Sequence, residues 1–194
     1  MLDNFFNKLS KGMNITEADK AIFRQHIIVK KLRRRQYLLQ SGEICKYIAF
    51  VSHGMLRSYL VDEKNNENII QFAPDGWFIS DLYSFIAEDG SNLNIDAIED
   101  SELILISKPA HEFLEQAVPE FFKFNYFQYR GAYIAFQKRV TDIFMLSTEE
   151  RYTKLLSIYP DITQRVPQHM IASYLGLTPE TISRVRKKLV VNKH

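Results

Sequence analysis

Residues 168–187, QHMIASYLGLTPETISRVRK, constrain this chain more than any other stretch. Ile171, Leu175, Leu177, Ile182 and Val185 fall where two short crossing helices must bury apolar side chains, and small Ala172 sits where the second crosses the first. Gly176 takes the turn, because glycine enters the left-handed region without a Cβ clash. Thr178 then reads as an N-cap and Pro179 as the first helical residue, where a missing N–H costs nothing. In the second helix Ile182, Val185 and Leu189 make one stripe at spacings of three and four, and Glu180, Ser183, Arg184 and Lys187 make the opposite one. One face is core and the other is presented outward. Spacing, cap and polar stripe agree on a helix-turn-helix rather than on an amphipathic hairpin with a merely solvated face.

The presented residues suit base reading. Arg184 can fork onto guanine O6 and N7, Glu180 can accept from cytosine N4–H, and Ser183 can serve either role. Gln168, His169, Thr178, Thr181, Lys187 and Lys188 are the phosphate-contact candidates around them. The charge supports this assignment: from Ser147 onward eight Lys/Arg face four acids, which leaves that tail at +4 and the remainder at −2. A basic excess on the reading unit is the electrostatic footprint that phosphate requires.

The rest of the chain is α+β. Residues 1 to about 26 read as short helices, the second opened by Thr16-Glu-Ala-Asp. From Ile27 to Ser107 short alternating runs follow: Ile27–Leu32, Tyr37–Gln40, Tyr47–Val51, Met55–Val61, Asn68–Phe72, Leu93–Ile98 and Leu103–Ile106. Turn residues such as Ser41-Gly42, His53-Gly54, Asp75-Gly76 and Asp89-Gly90 cut them apart. Strands so spaced predict a sandwich or barrel, most simply a double-stranded β-helix or jelly roll. Helical pattern resumes at Pro109, and a long helix runs from Pro119 to about Leu146. Along it Phe122, Tyr126, Tyr129, Tyr133, Phe136, Val140 and Ile143 recur at alternating steps of four and three, a heptad seam. The expectation is a two-stranded coiled coil, since a palindromic site needs a two-fold protein. A second stripe including Phe124, Phe127 and Ile134 is expected against the roll of its own chain. Ser147-Thr-Glu-Glu reads as a hinge with a helix start, a helix from Glu149 to Tyr159 follows, and Pro160 ends it. The expected division is 1–117 for the β-roll with its N-terminal helices, 118–146 for the dimerisation helix and 147–194 for the helix-turn-helix domain. A C-terminal wing is expected to be short or absent.

GLTPETISRVRKKL resembles the recognition helix of the Crp/Fnr superfamily of bacterial transcription regulators. The Fnr branch carries a Glu-x-x-Ser-Arg pattern, matched here by Glu180, Ser183 and Arg184. The resemblance implies a homodimer that reads a TGA…TCA palindrome, with double-stranded DNA and RNA polymerase as partners and a cyclic-nucleotide-binding-like roll as sensor. It also places His169 at a family position that touches phosphate. Pro179 is a departure, standing where the Crp branch has a base-contacting arginine. The sensor departs further. The Gly-Glu pair and the later Arg-Ser or Arg-Thr pair that hold a cyclic nucleotide in relatives fall here on Ser80-Asp81 and near Ser91-Asn92. Without the cassette arginine the charge-assisted phosphate contact is missing, which argues against cyclic AMP. Arg57, Ser80, Asp81, Tyr83, Ser91, Asn92 and Arg130 remain the polar candidates for an unidentified effector.

Other classes find less support. Cys45 is the only cysteine, so no disulfide within the chain and no iron–sulfur cluster is expected. The five histidines are scattered without ligand spacing, so no metal, haem or metal-dependent enzyme is expected. The N-terminus has no apolar leader and no window approaches a membrane span, so the expected location is cytoplasmic, away from the membrane. The competing reading is a ligand-binding regulatory module whose helical tail mediates protein contacts rather than DNA binding.

Overall fold

The computed structural model describes residues 1–191, with side chains through Leu189. Lys193, His194 and the question of a wing lie outside the described residues. The chain divides into two compact units, residues 1–61 with 70–129 and residues 62–69 with those from 130 onward.

The first unit is a β-roll with helices on one side. After α1 (Leu2–Ser10) and α2 (Glu17–His26) come β1 (Ile27–Leu32), β2 (Tyr37–Leu39), β3 (Tyr47–His53), β4 (Met55–Val61), β5 (Glu67–Pro74), β6 (Phe78–Ile79), α3 (Leu82–Ala87), β7 (Asn94–Ala97), β8 (Ser101–Ser107) and α4 (Lys108–Ala117). They form two four-stranded sheets, ordered β1-β8-β3-β6 and β2-β7-β4-β5. Strand β8 shows why its sequence reads as an unbroken apolar run. Leu103 and Leu105 point into the roll with Ala49, Val51, Leu56 and Ile95. Ile104 and Ile106 point the other way, onto Phe5, Phe23, Leu114 and Phe121. A sheet covered on both faces has no solvent side to mark with polar residues. Phe5 stands edge-on to Phe50 at 5.3 Å and Phe23 to Phe121 at 5.0 Å, so the helices are fixed by oriented aromatic contacts. Gly54 joins β3 to β4 at φ +102, where a Cβ would lie 2.7 Å from the Ser101 Cα, so both torsion and space demand glycine.

Helix α5 (Pro119–Met145) belongs to this unit through Tyr129, about three turns. Only Phe121, Phe124 and Asn125 along it are buried. Phe127 and Ile134, expected to cover the roll, are instead exposed at 52% and 42%. A polar network secures its base. Asn125 Nδ2 donates to His111 Nε2 at 3.0 Å and to Glu115 Oε1 at 2.9 Å, and the Tyr129 hydroxyl stands 3.2 Å from the same His111 nitrogen. An amide nitrogen can only donate, so Nε2 accepts and the imidazole is neutral. Burial depresses the His111 pKa below its ordinary 6.5, against an opposing pull from Glu115 and Glu112. The unfolded chain therefore takes up this proton at a higher pH than the folded one. The stabilisation is complete above 6.5 and is lost as pH falls below it toward the folded value. Urea unfolding at falling pH should show this loss, and His111→Gln, which keeps an acceptor and cannot titrate, should flatten it.

The second unit comprises the outer part of α5, α6 (Thr148–Ile158), α7 (Ile162–Arg165), α8 (Gln168–Leu175) and α9 (Pro179–Val191), together with the tip of the β4–β5 hairpin. Ser147 opens α6 with a capping box, its hydroxyl accepting from Glu150 N at 3.3 Å and Glu150 Oε2 accepting from Ser147 N at 2.8 Å. The hairpin tip is held by α8: Ser173 Oγ donates to Glu67 O at 2.5 Å and accepts from Ile69 N at 3.0 Å. Arg139 adds bonds to Ile69 O at 3.2 Å and Tyr174 O at 3.0 Å, and lies 4.0 Å over the Tyr174 ring.

Candidate nucleic-acid interface

Helices α8 and α9 meet through Ile171, Ala172, Leu175, Ile182 and Val185, all buried, with Leu177 half-buried beside them. Gly176 turns the chain at φ +65, and Leu177 N donates back to Ala172 O at 2.9 Å, a closure that only a left-handed residue allows. Thr178 Oγ1 accepts from Thr181 N at 3.3 Å, which starts α9 one residue later at Pro179. The start of α9 is tied to α8 by Gln168, whose Nε2 donates to Pro179 O at 2.7 Å and whose Oε1 accepts from Arg186 at 3.4 Å.

Glu180 and Arg184 are exposed and Ser183 is half-exposed on the outward face of α9. The Glu180 carboxyl is held below the usual carboxylate range, first by its own backbone N–H and then by the Thr178 hydroxyl, so it is an anion and an acceptor at neutral pH. Arg184 Nη2 reaches Thr181 Oγ1 at 3.3 Å, and Thr181 also meets Thr178 Oγ1 at 3.1 Å. His169 and Lys187 are exposed. Lys188 is already committed, pairing with Glu149 Oε1 at 2.8 Å, so a phosphate would have to displace a carboxylate there. Gln168 likewise spends its side chain inside the unit.

The seam residues Phe122, Tyr126, Tyr133, Phe136, Val140 and Ile143 are exposed along α5. Tyr129 departs from the row: it is half-buried and turned to His111 of its own chain, and burial pushes its phenol up to about 12.

The effector candidates do not converge on one site. Asp81 and Ser91 do meet, Ser91 Oγ donating to Asp81 Oδ2 at 2.6 Å, with half-buried Ser80 adjoining. Asp81 also accepts from Ser84 N at 3.3 Å and so caps α3. Arg57 has a different partner. It is gripped by Asp96 through Nε–Oδ1 at 2.7 Å and Nη2–Oδ2 at 3.0 Å, and it lies 4.2 Å from the Tyr59 ring centre. Tyr83 is exposed and bonds Asp89 at 3.2 Å, whose carboxylate raises its phenol pKa. Asn92 is exposed, and Arg130 is exposed in the second unit. A cavity of 390 Å³ instead opens among Leu38, Leu39, Ile44 and Ile95, with Glu43 and Lys46 in its lining. Its residues come from three strands, β2, β3 and β7, and the loop into β3, which no local pattern links. Cys45 also borders it, and burial raises that thiol's pKa.

These features define a class by fold, a β-roll followed by a long helix and a set of short helices that includes the α8–α9 pair. Residues 29–116 match the cyclic nucleotide-binding domain family. Solved structures extend the likeness over most of the chain. CLP, a c-di-GMP-responsive global regulator from Xanthomonas campestris, is 17% identical over 92% of this chain and 93% of its own, with a TM-score of 0.71. FixK2 from Bradyrhizobium japonicum is 18% identical over 86% of each chain, with a TM-score of 0.74. A putative Crp/Fnr-family transcriptional regulator from Eubacterium rectale is 17% identical over 92% of this chain and 85% of its own, with a TM-score of 0.68. At such identities the likeness is one of fold, and the fold is that of Crp/Fnr-family regulators. No curated protein sequence matches the chain. No described helix is long and apolar enough to cross a membrane.

Proposed function

We propose that this chain is a sequence-specific DNA-binding transcription regulator, not an enzyme, that acts as a homodimer on a TGA…TCA-like palindrome. The observation that carries this reading is the α9 face: Glu180, Ser183 and Arg184 stand together on the outward side of a capped helix whose other side is core. Arg184 supplies the guanine fork, Glu180 the acceptor for cytosine N4–H, and Ser183 the adaptable third contact. His169 and Lys187 would meet phosphates. The exposed α5 seam would hold two copies at the spacing of two half-sites, and RNA polymerase is the proposed further partner.

The roll would carry the regulatory input. Effector binding would shift the population of reading-unit orientations about the α5–α6 junction at Ser147. CLP responds to c-di-GMP, but the cassette positions here hold Asp81 and Ser91 bonded to one another, and Ser91-Asn92 stand where the second pair would need an arginine to neutralise a phosphate. The proposed effector is therefore not cyclic AMP.

Anisotropy titrations with a TGA…TCA duplex and a scrambled duplex of equal length test the reading. Equal affinity for the two would defeat it. Arg184→Ala should cost about 1–3 kcal/mol and relax selectivity at one base pair. Lys187→Ala should weaken both duplexes alike and leave their ratio unchanged.

A further inference from the structure

One amide nitrogen of α5 is shared by two groups of α4. Asn125 Nδ2 donates both to His111 Nε2 and to Glu115 Oε1, and these two acceptors are themselves only 3.8 Å apart. The amide stands between them because a neutral imidazole that accepts at Nε2 has no proton there to offer the carboxylate. The Tyr129 hydroxyl, 3.2 Å from the same nitrogen, is then a second donor to it. His111 and Asn125 are buried, and the rings of Phe85 at 5.9 Å and Phe121 at 5.5 Å close around the imidazole, so a bond broken here is not made good by bulk water. The ionisable groups acting on the ring are Glu115 and Glu112 of its own helix and the Tyr129 phenol of α5, while α3 meets it with Phe85. All of these side chains belong to the first unit.

Protonation reverses these roles. Nε2 then carries a hydrogen and faces the N–H of Asn125 donor to donor. The amide cannot answer by turning over, since that sets its oxygen against the Glu115 carboxylate. Glu115, one turn along α4, can satisfy the imidazolium instead, because the attraction of opposite charges sheltered from water outweighs the amide bond that the carboxylate gives up. We propose that His111 is an acid-operated latch on α5: its protonation transfers Glu115 from Asn125 to the imidazolium, an ion pair within α4 replaces the bond between the helices, and the turn from Asn125 to Tyr129 is released. The start of α5 stays in place, since Phe121 and Phe124 remain in the apolar core. Burial keeps the imidazole neutral until the pH is below its ordinary 6.5, and Glu115 and Glu112 limit that depression, so the latch opens on the acid side of neutrality. Tyr126, within the released turn, lies on the exposed seam. The consequence for DNA rests on the regulator reading above: acid would loosen the seam at that point and weaken palindrome binding.

Hydrogen exchange of the full chain at about pH 7.5 and about pH 5, read by mass spectrometry and corrected for the chemical exchange rate, tests the latch without DNA. Protection of the backbone amides from Asn125 to Tyr129 should fall roughly tenfold at the lower pH, the size expected for the loss of a buried hydrogen bond, while the start of α5 holds. His111→Gln should be equally protected at both pH values. Glu115→Gln keeps an acceptor for Asn125 but removes the charge that favours the imidazolium, so it should move the fall to lower pH, which a purely structural role of Glu115 would not do. Equal protection of the parent at the two pH values overturns the proposal, as does a His111→Gln variant that loosens with acid like the parent, or a Glu115→Gln variant with an unmoved midpoint. Anisotropy with the palindrome over the same pH range reads the consequence: the parent should lose several-fold more affinity than His111→Gln, and equal losses overturn the regulatory step. If the parent fails to prefer the palindrome over scrambled DNA at neutral pH, the reading of α9 falls, and hydrogen exchange still decides the latch.

Discussion

Replacing Phe136 with glutamate should convert the protein to a monomer and abolish palindrome binding while leaving each chain as stable as before. In the single chain Phe136 is 59% exposed and Tyr133, one step away on the seam, 67% exposed, so the substitution removes almost no packing within the protomer. In a two-stranded seam the same position would be buried twice. Losing two large apolar side chains at about 1.5–3 kcal/mol each, and desolvating two like charges in their place, should weaken association by about 5 kcal/mol or more. That is roughly a several-thousandfold change in the dimer constant. Sedimentation velocity and DNA anisotropy on the same samples, with a thermal melt as control, make the measurement. A variant that stays dimeric would remove α5 as the dimer axis. A parent that is monomeric at tens of micromolar would remove the two-fold model altogether. Tyr129→Phe supplies a contrast: since that hydroxyl is spent on His111, the change should leave the molecular mass alone and alter the pH response of the first unit.

The reach of the sequence follows from how local each signal is. Gly176, Thr178 and Pro179 act within four residues, and the turn and helix start they specify occur where they stand. Turn residues mark the roll's longer strands for the same reason. Strand β6 has two residues, too few to show a period, and α3 depends on Asp81 as a cap that looks in sequence like a ligand-pocket carboxylate. The seam period shows which residues share a face of α5 but not which one folds back on its own chain. Tyr129 is diverted because His111 lies eighteen residues upstream on another helix. Long-range partners were invisible for this reason throughout: Lys188 finds Glu149 across 39 residues, and the cavity draws on β2, β3, β7 and the loop into β3. Arg57 is the sharpest case. Polar and flanked by strand residues, it reads as an effector ligand, and only the register that sets it opposite Asp96 reveals its partner.

That pairing carries the second large effect. Asp96→Ala should destabilise the first unit by about 3–5 kcal/mol, because it leaves a buried guanidinium without its counter-charge. Arg57 is only 5% exposed and Asp96 6%, so water cannot replace the lost carboxylate without opening the sheet. The face of Tyr59 at 4.2 Å still attracts the cation, but a ring quadrupole offsets only part of such a loss. Arg57→Met/Asp96→Leu removes both charges and keeps the volume apolar, so it should cost far less than Asp96→Ala alone and could even stabilise the roll. Urea denaturation of Arg57→Met, Asp96→Leu and the double isolates the coupling, and an additive result would mean that the pair carries no net interaction. The same variants separate structure from recognition. An arginine freed in Asp96→Ala would gain from an anion if the site opened to solvent, so inorganic phosphate should raise its melting temperature while leaving the parent unchanged. If phosphate stabilises the parent equally, Arg57 is already open to anions despite Asp96, and it returns to the set of effector ligands.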